Sequence, residues 1–463
     1  MPRLLTGANW ALCLLLALLT ILRSGVDPWV FGPFRVDSLA LFLGAAVTLV
    51  SAVVHSFSLR FMEGDARYDA FFPRLSALAS TVLGLLATDN LLLFAGLWVL
   101  MGWLLADVIG HIRGWRQALA AAALARTWFL RGSAALVAGL VVLAAATGSL
   151  SISGVIAGAA TANTALLALG CALLGGAAAI QSGLFPFHRW LMSSMTAPTP
   201  VSAFMHAGLV NAGGILIARF APAFDAVPFV LLLVFLAGAA SALFGAVAAL
   251  VQTDVKRGLA ASTTAQMGFM LLQCGLGFHA AAMAHLVLHG LYKASLFLGA
   301  GSALAQATRP GSKPAASPLA FGVALLAALA AGAGFALTSG KLDDGAGALL
   351  VLFAALAAAQ ATVALAALPR QVLLLAPVVM LIAGALYGAL VATLEWLLSG
   401  TPGLVAPQPL TALHLIVAFV FTTVWLAIQA GLHRRSVALY AWLVGLSAPA
   451  AAAITDCREA HHA

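Results

Sequence analysis

The chain has 463 residues, 63% of them hydrophobic and only 8% charged, with a mean hydropathy of +1.07 and a formal net charge of +8. A soluble domain carries about 25% charged residues, so a water-covered globule is excluded. The basic residues sit in short loops and form no patch, which argues against nucleic acid and reads as a membrane topology signal.

Apolar runs of roughly 20 residues, enough to cross a hydrocarbon core of about 30 Å, recur from end to end, so 1–463 reads as a single membrane domain. In chain order, helices are predicted over 4–22, 36–58, 75–88, 90–109, 132–147, 163–195, 201–220, 228–251, 258–276, 281–305, 318–346, 347–368, 372–396, 409–431 and 436–455, about fifteen transmembrane helices. The runs are rich in Ala and Leu and lack period-2 alternation, so the fold class is an all-α polytopic membrane protein. The first run has no small-residue cleavage pattern before Arg23 and is expected to persist as a helix. Loops after even-numbered helices carry Arg60, Arg67 and Arg74, then Arg113, Arg116, Arg126 and Arg131, then Lys256 and Arg257, Arg309 and Lys313, Arg370, and His433 to Arg435. Positive charge is retained in the cytoplasm. This places those loops and the N-terminus in the cytoplasm of a bacterial inner membrane and, with an odd helix count, the C-terminus in the periplasm. Cys13, Cys171, Cys274 and Cys457 are scattered, so neither a disulfide framework nor a metal or other cofactor in this chain is expected.

Two predicted helices are overlong. The sixth contains Gly183 and Pro186, and the eleventh contains the run from Leu337 to Lys341. Proline removes an intrahelical hydrogen bond and glycine weakens the turn, so both are candidates for broken helices; a kink plus an ordinary loop is the alternative. The breaks lie five helices apart, and an odd repeat inverts its second copy. Inverted repeats over 75–220 and 228–368 are expected, with extra C-terminal helices over 372–455.

Several ordered motifs then carry a resemblance. Phe185-Pro186-Phe187-His188-Arg189-Trp190-Leu191 is followed by Ala197-Pro198-Thr199-Pro200-Val201-Ser202-Ala203 and His206-Ala207. Gln252-Thr253-Asp254-Val255-Lys256-Arg257 leads to Ser262 and Gln266-Met267-Gly268, and His285, His289, Lys293-Ala294 and Leu296 to Gly299 come next. Together with Val36-Asp37-Ser38-Leu39 and Asp89-Asn90-Leu91-Leu92, this resembles the proton-conducting antiporter-like subunits of complex I and of Mrp antiporters over about residues 35–345. Two departures stand out. The family's Trp-Glu reads Trp98-Val99 here, and its lysine before the broken-helix proline is Gln181, so both partners of a family ion pair are neutral. Losing one partner would strand a buried charge; losing both is physically coherent. A shortened member of this kind is most similar to the membrane subunit of DAB-type inorganic-carbon uptake complexes. That resemblance implies a large β-carbonic-anhydrase-like (DabA-type) partner that holds zinc, and coupling to a proton or sodium gradient.

Ionisable residues inside a membrane cost about 2.5–3.5 kcal/mol each at a helix centre, so each candidate is weighed against a bland role. His285, His289 and Lys293 fall at i, i+4 and i+8 on one helix face, within about 12 Å of rise. Imidazole exchanges tautomers and titrates near neutrality, which suits a proton relay; a polar stripe between helices is the alternative. His206 follows the Pro198 and Pro200 turn, and the family motif implies a conducting role where a lone histidine would otherwise be structural. Lys256 is a relay candidate or a positive-inside anchor. Lys341 and Asp344 sit at the proposed second break, near a lysine position of the family, or are solvated loop residues. Asp107 lies two turns beyond Val99 and could replace the missing glutamate, or it lies at the membrane surface beside His111 and Arg113. Glu395 is expected at the interface beside Trp396.

The function expected is a cation-conducting, energy-coupling subunit of an inorganic-carbon uptake complex, with the proton as the expected ion. The alternatives are a proton-pumping subunit of a complex I or membrane-hydrogenase type assembly, and a membrane scaffold whose relay has decayed.

Overall fold

A bilayer offers the backbone no hydrogen-bonding partner, so the chain satisfies its peptide groups within helices. The computed structural model describes residues 1–23, 26–303, 317–342, 345–366, 369–432 and 435–453. Helices α1 (Pro2–Leu22) and α2 (Ser38–Phe61) are joined by a short hairpin of β1 (Trp29–Phe31) and β2 (Phe34–Val36), where Gly32 takes the positive φ that the turn requires. No alternating pattern in residues 29–36 foretells these strands. Asp37 caps α2 by accepting from the Ala40 amide at 2.8 Å. Next come α3 (Tyr68–Ala87), α4 (Leu91–Ile109) and α5 (Arg116–Thr147). At 32 residues α5 begins well before the predicted 132–147. Arg126 and Arg131 interrupt its hydropathy, but its first turns are Ala-rich and hold the helix, and the Arg131 guanidinium stacks over Trp128 at 4.9 Å.

The short α6 (Ile152–Gly158) precedes α7 (Thr164–Gln181), which stops where Gly183 adopts φ +60°; the chain resumes in α8 (Arg189–Ser193). The next span is discontinuous. It consists of α9 (Thr199–Ala207), a 3₁₀ turn over Leu209–Asn211, and α10 (Ala212–Arg219), followed by α11 (Ala221–Asp225). Then come α12 (Pro228–Leu250), α13 (Val255–Gly275), α14 (His279–Ala303), α15 (Pro318–Ser339), α16 (Gly345–Ala364), α17 (Arg370–Leu374), α18 (Ala376–Leu397), α19 (Ala412–Gln429) and α20 (Val437–Ser447). Counting α9–α10 as one, 13 helices among the described residues are long and apolar enough to cross a membrane. The fold class is therefore an all-helical, multi-pass integral membrane protein.

Two expectations need correction. The run from Leu337 to Lys341 is not a break within a helix: α15 closes on Gly340 in the left-handed region, and α16 starts at Gly345. The helix ends there, because a left-handed glycine ends a helix and does not merely kink it. Asp344 lies outside the described residues. The predicted helix over 436–455 also fails to cross. It has 11 residues as α20, against the roughly 20 a span needs. Its far end is pinned beside the loops that flank α8 and α12: His188 Nε2 meets the Leu446 carbonyl at 2.9 Å, Gln252 donates to Ser447 Oγ at 2.8 Å, and the Ala450 amide donates to Ser193 Oγ at 3.1 Å. The described chain thus ends on the side of the bundle where Lys256 and Arg257 begin α13, not on the opposite side.

Helices α12 and α13 pack antiparallel at backbone contact. A Cβ on Gly245 would lie 2.3 Å from the Ala265 amide nitrogen, one on Gly268 2.4 Å from that of Ala242, and one on Gly275 2.5 Å from that of Phe235. Small residues permit this approach, which dispersion and close packing reward in lipid. A second apolar cluster of Phe235, Leu272, Phe278, Phe335, Phe353, Val391 and Leu394 ties α15, α16 and α18 to this pair. Gly268→Ala is therefore expected to lower the thermal midpoint of the detergent-solubilised protein by several degrees, an overpacking cost of about 1–3 kcal/mol. Gly176→Ala has open space around its new methyl and should be neutral or stabilising by up to about 1 kcal/mol. Equal midpoints for the two variants would contradict the close contact.

Candidate ion-relay site

The site begins with the interruption between α9 and α10. Breaking the span at Gly208 frees carbonyls that a continuous helix would have used. Three carbonyls around the break accept from side chains: Gln181 Nε2 reaches the Leu209 carbonyl at 3.3 Å, Ser182 Oγ the Val210 carbonyl at 2.7 Å, and Asn211 Nδ2 the Ala207 carbonyl at 2.8 Å. Gln181, on the last turn of α7, is therefore a neutral donor to the break. Val99 is 38% exposed and turned to the outer face of α4. Gly290 of α14 lies so close that a Cβ there would sit 2.5 Å from the Ala207 carbonyl. The break is clamped between α7 and α14. At its start, Pro200 occupies the first turn of α9, where its missing N–H costs nothing, and Pro198 caps the helix. The Phe185–Pro186 peptide is cis, within the turn between α7 and α8.

His206, on the last turn of α9, is fully buried and stacks on Phe297 of α14, with centroids 4.4 Å apart. Its Nδ1 lies 3.0 Å from Thr263 Oγ1, and that hydroxyl donates to the Leu259 carbonyl at 2.9 Å. With its proton committed there, Thr263 accepts from His206, which makes Nδ1 the protonated nitrogen and leaves Nε2 as a free acceptor. The same Leu259 carbonyl receives Lys293 Nζ at 2.8 Å, and Lys293 also donates to Ser262 Oγ. Thr263 and one carbonyl thus join the break of α9–α10 to the polar row of α14. Along that row the rings of His285 and His289 are 5.8 Å apart and within 13° of parallel. Lys293 is 1% and His289 6% exposed. Nε2 of His206, His285 and His289 all lack a hydrogen-bond partner among the described residues.

Lys256, at the start of α13, donates to the Ala197 and Met195 carbonyls at 3.1 and 3.4 Å, just before Pro198. It stands at the end of the bundle where α9 begins. Asp107 is placed elsewhere. It pairs with Arg113 and with Arg74 at 3.6 Å, next to a loop cluster in which His111 meets Asp65 at 3.2 Å. Burial pushes the His111 imidazole below its ordinary pKa, against the pull of Asp65. Asp107 thus stands in an arginine cluster beside His111 and Arg113, the second of the two placements expected from the sequence.

Sequence reasoning also underread Glu395. Its carboxylate lies 2.7 Å from Lys341 Nζ, with the two side chains 21% and 7% exposed, and Lys341 sits 5.3 Å over the Phe278 ring. No spacing rule could have paired a residue in the α15–α16 connection with the last turn of α18. Thr263 was missed too; the only signal was the hydroxyl run Ser262-Thr263-Thr264 within a helix. His279, which begins α14 and lies 3.6 Å from Asp225, carried no motif. Among the described residues, no group of three or more His, Cys, Asp or Glu side chains comes together as a metal site.

A discontinuous span beside a buried His–Lys row defines an antiporter-like membrane subunit, and the sequence comparisons give the family. The family model described as NADH:quinone oxidoreductase/Mrp antiporter, TM, matches residues 87–373, and that for the complex I chain 5 N-terminus matches residues 32–72. The chain belongs to the NADH:quinone oxidoreductase/Mrp antiporter family. Within it, the chain is 40% identical over 303 residues to a probable inorganic carbon transporter subunit DabB of Bacillus subtilis, covering 64% of this chain and 58% of the relative. It is 36% identical over 310 residues to NADH-quinone oxidoreductase subunit L of Mycobacterium tuberculosis, covering 64% and 48%. The chain therefore aligns with about half the length of these relatives. A chain of the Mrp complex from Dietzia sp. DQ12-45-1b has the same fold, with a TM-score of 0.66 at 24% identity over 95% of this chain and 56% of that one.

The Lys341–Glu395 pair offers a direct check. Removing one partner of a buried ion pair strands the other, so Glu395→Gln is expected to cost about 1–3 kcal/mol, tempered by the carboxylate's partial exposure. Adding Lys341→Met should restore part of the loss. A double-mutant cycle on thermal unfolding that gave strictly additive effects would dismiss the pair.

Proposed function

We propose that this chain is the cation-conducting, energy-coupling membrane subunit of an inorganic-carbon uptake complex, and that the cation is the proton. The observation that carries the reading is the link from His206 through Thr263 and the Leu259 carbonyl to Lys293 and the His289–His285 pair. The Nε2 atoms of His206, His285 and His289 lie in one region without a partner among the described residues, and that of His206 is an acceptor. Lys256 is the group at which a proton would meet the row from the end of the bundle that carries most of the basic loops. The positive-inside rule supports assigning that end to the bacterial cytoplasm, with the N-terminus and residue 453 beside it.

The likeness to DabB subunits supports the inorganic-carbon setting, with a large β-carbonic-anhydrase-like partner that holds the zinc. The neutral Gln181 and Val99 count against a complex I type pump, whose subunits carry a lysine and a glutamate at the matching motif positions. In this account the subunit performs no bond chemistry. Proton movement along the row shifts the conformational state that the partner senses, and membrane burial keeps bulk water from short-circuiting it.

The test is rescue of growth at ambient CO2 in a host lacking carbonic anhydrase, with the complex expressed whole. His289→Ala and Lys293→Met are each expected to abolish rescue while the partner stays bound in the purified membrane complex. An impermeant maleimide should reach Arg435→Cys only in broken cells, in a background with Cys457 replaced by Ser. Full rescue by both α14 variants at normal abundance would leave a scaffold as the better reading.

A further inference from the structure

Helices α15, α16, α18 and α19 join α12–α14 through the apolar cluster at one end only. Beyond that cluster the two groups part and enclose a cavity of about 690 Å³. This is the size range of small-molecule sites, which run about 300–1,000 Å³. Its walls are mostly Ala, Leu and Phe side chains of α12, α13, α15, α16, α18 and α19. Ser262 and Gln266 of α13 and Gln360 of α16 add polar groups along it, and three more meet at the inner end: Gln273, His285 and Tyr387.

These groups are incompletely satisfied in a definite pattern. Gln273 is 2% exposed, and its Nε2 donates to Tyr387 Oη at 3.4 Å, while its Oε1 has no partner. Tyr387 Oη, having accepted that bond, still has its own hydrogen to give. His285 presents an unpartnered Nε2 at the same end. The inner end therefore offers one acceptor and one donor side by side, which a single hydroxyl-type group satisfies at once. At the other end Ala246, Leu250, Ala357 and Gln360 are exposed, so the cavity opens sideways between α12 and α16 at the depth of their last turns. There the Trp425 indole and the Gln429 amide both donate to Gln360 Oε1, at 3.1 and 2.8 Å.

We propose that this cavity binds a membrane-borne amphiphile with one apolar tail and a small uncharged hydroxyl-type head. The head bonds Gln273 and Tyr387, and the tail leaves past Gln360 and Trp425 toward the lipid. The bound head lies against His285, the outermost member of the α14 row. The site does not depend on the ion or on the partner proposed above.

The full complex, purified in mild detergent, is irradiated with a diazirine-bearing hexadecanol, and labelled residues are mapped by mass spectrometry. Labels are expected on α13, α16 and α18 within the cavity, competed by unlabelled hexadecanol. Ala354→Trp, which fills the cavity, should reduce them at least fivefold. Gln273→Leu, which keeps the shape but removes the acceptor, should weaken competition about tenfold. A parallel arm with the matching diazirine fatty acid distinguishes an alcohol from an acid head; labelling by the ionised acid alone would overturn the uncharged-head assignment. Labels confined to the outer faces of α1 and α19, unchanged in Ala354→Trp protein of normal thermal midpoint, would overturn the site. Neither result depends on transport, so failure here and failure of the relay are distinguishable.

Discussion

Opening a helix inside a bilayer leaves carbonyls with no solvent to bond, at a cost of several kcal/mol for each one unsatisfied. The rest of this structure is arranged around that constraint at Gly208. Gln181 and Ser182 close α7 with donors aimed at the Leu209 and Val210 carbonyls, and Asn211 reaches back to Ala207. Gly290 brings α14 against the same carbonyl of Ala207. Once the break is stabilised this way, His206 stands at its edge with Phe297 stacked on one face. The geometry of the relay is thus a consequence of how the break is satisfied.

The connection from there to α14 is made by a hydroxyl and a carbonyl, not by a second charge. At the two positions where the resemblance implies a Glu–Lys pair, Val99 faces outward and Gln181 bonds the break. Thr263 and Lys293 share the Leu259 carbonyl, so the buried ammonium group is held by oxygen dipoles, with no carboxylate partner among the described residues. Burying a lysine beside dipoles and not beside a counter-ion keeps its charge sensitive to a proton arriving nearby. The Lys341–Glu395 ion pair lies in the C-terminal helices under Phe278, away from this junction.

Much of this was legible in the sequence because membrane helices announce themselves by apolar length, and because α14 shows its row at a spacing of four. The interrupted region was visible in Gly183, Pro186, Pro198 and Pro200, yet the break within a span falls at Gly208, where no proline marks it. Composition could not separate α20 from a spanning helix: Val437 to Ser447 is apolar, but its bonds to His188, Gln252 and Ser193 hold it along one side of the bundle. Arg126 and Arg131 hid the first half of α5 from hydropathy. Thr263 and Glu395 were unreadable for a different reason. Each matters through one contact across the bundle, and such contacts follow from packing that no local pattern encodes.

That the Thr263 hydroxyl joins His206 to the α14 row can be tested without touching a titrating group. Thr263→Val keeps the shape and removes the hydroxyl; Thr263→Ser keeps the hydroxyl. Proton flux is measured with a pH-sensitive dye inside proteoliposomes holding the full complex under an imposed potential. The expected result is at least a tenfold loss of flux for Thr263→Val and near wild-type flux for Thr263→Ser, at equal incorporation. Wild-type flux in the Thr263→Val complex would contradict the account.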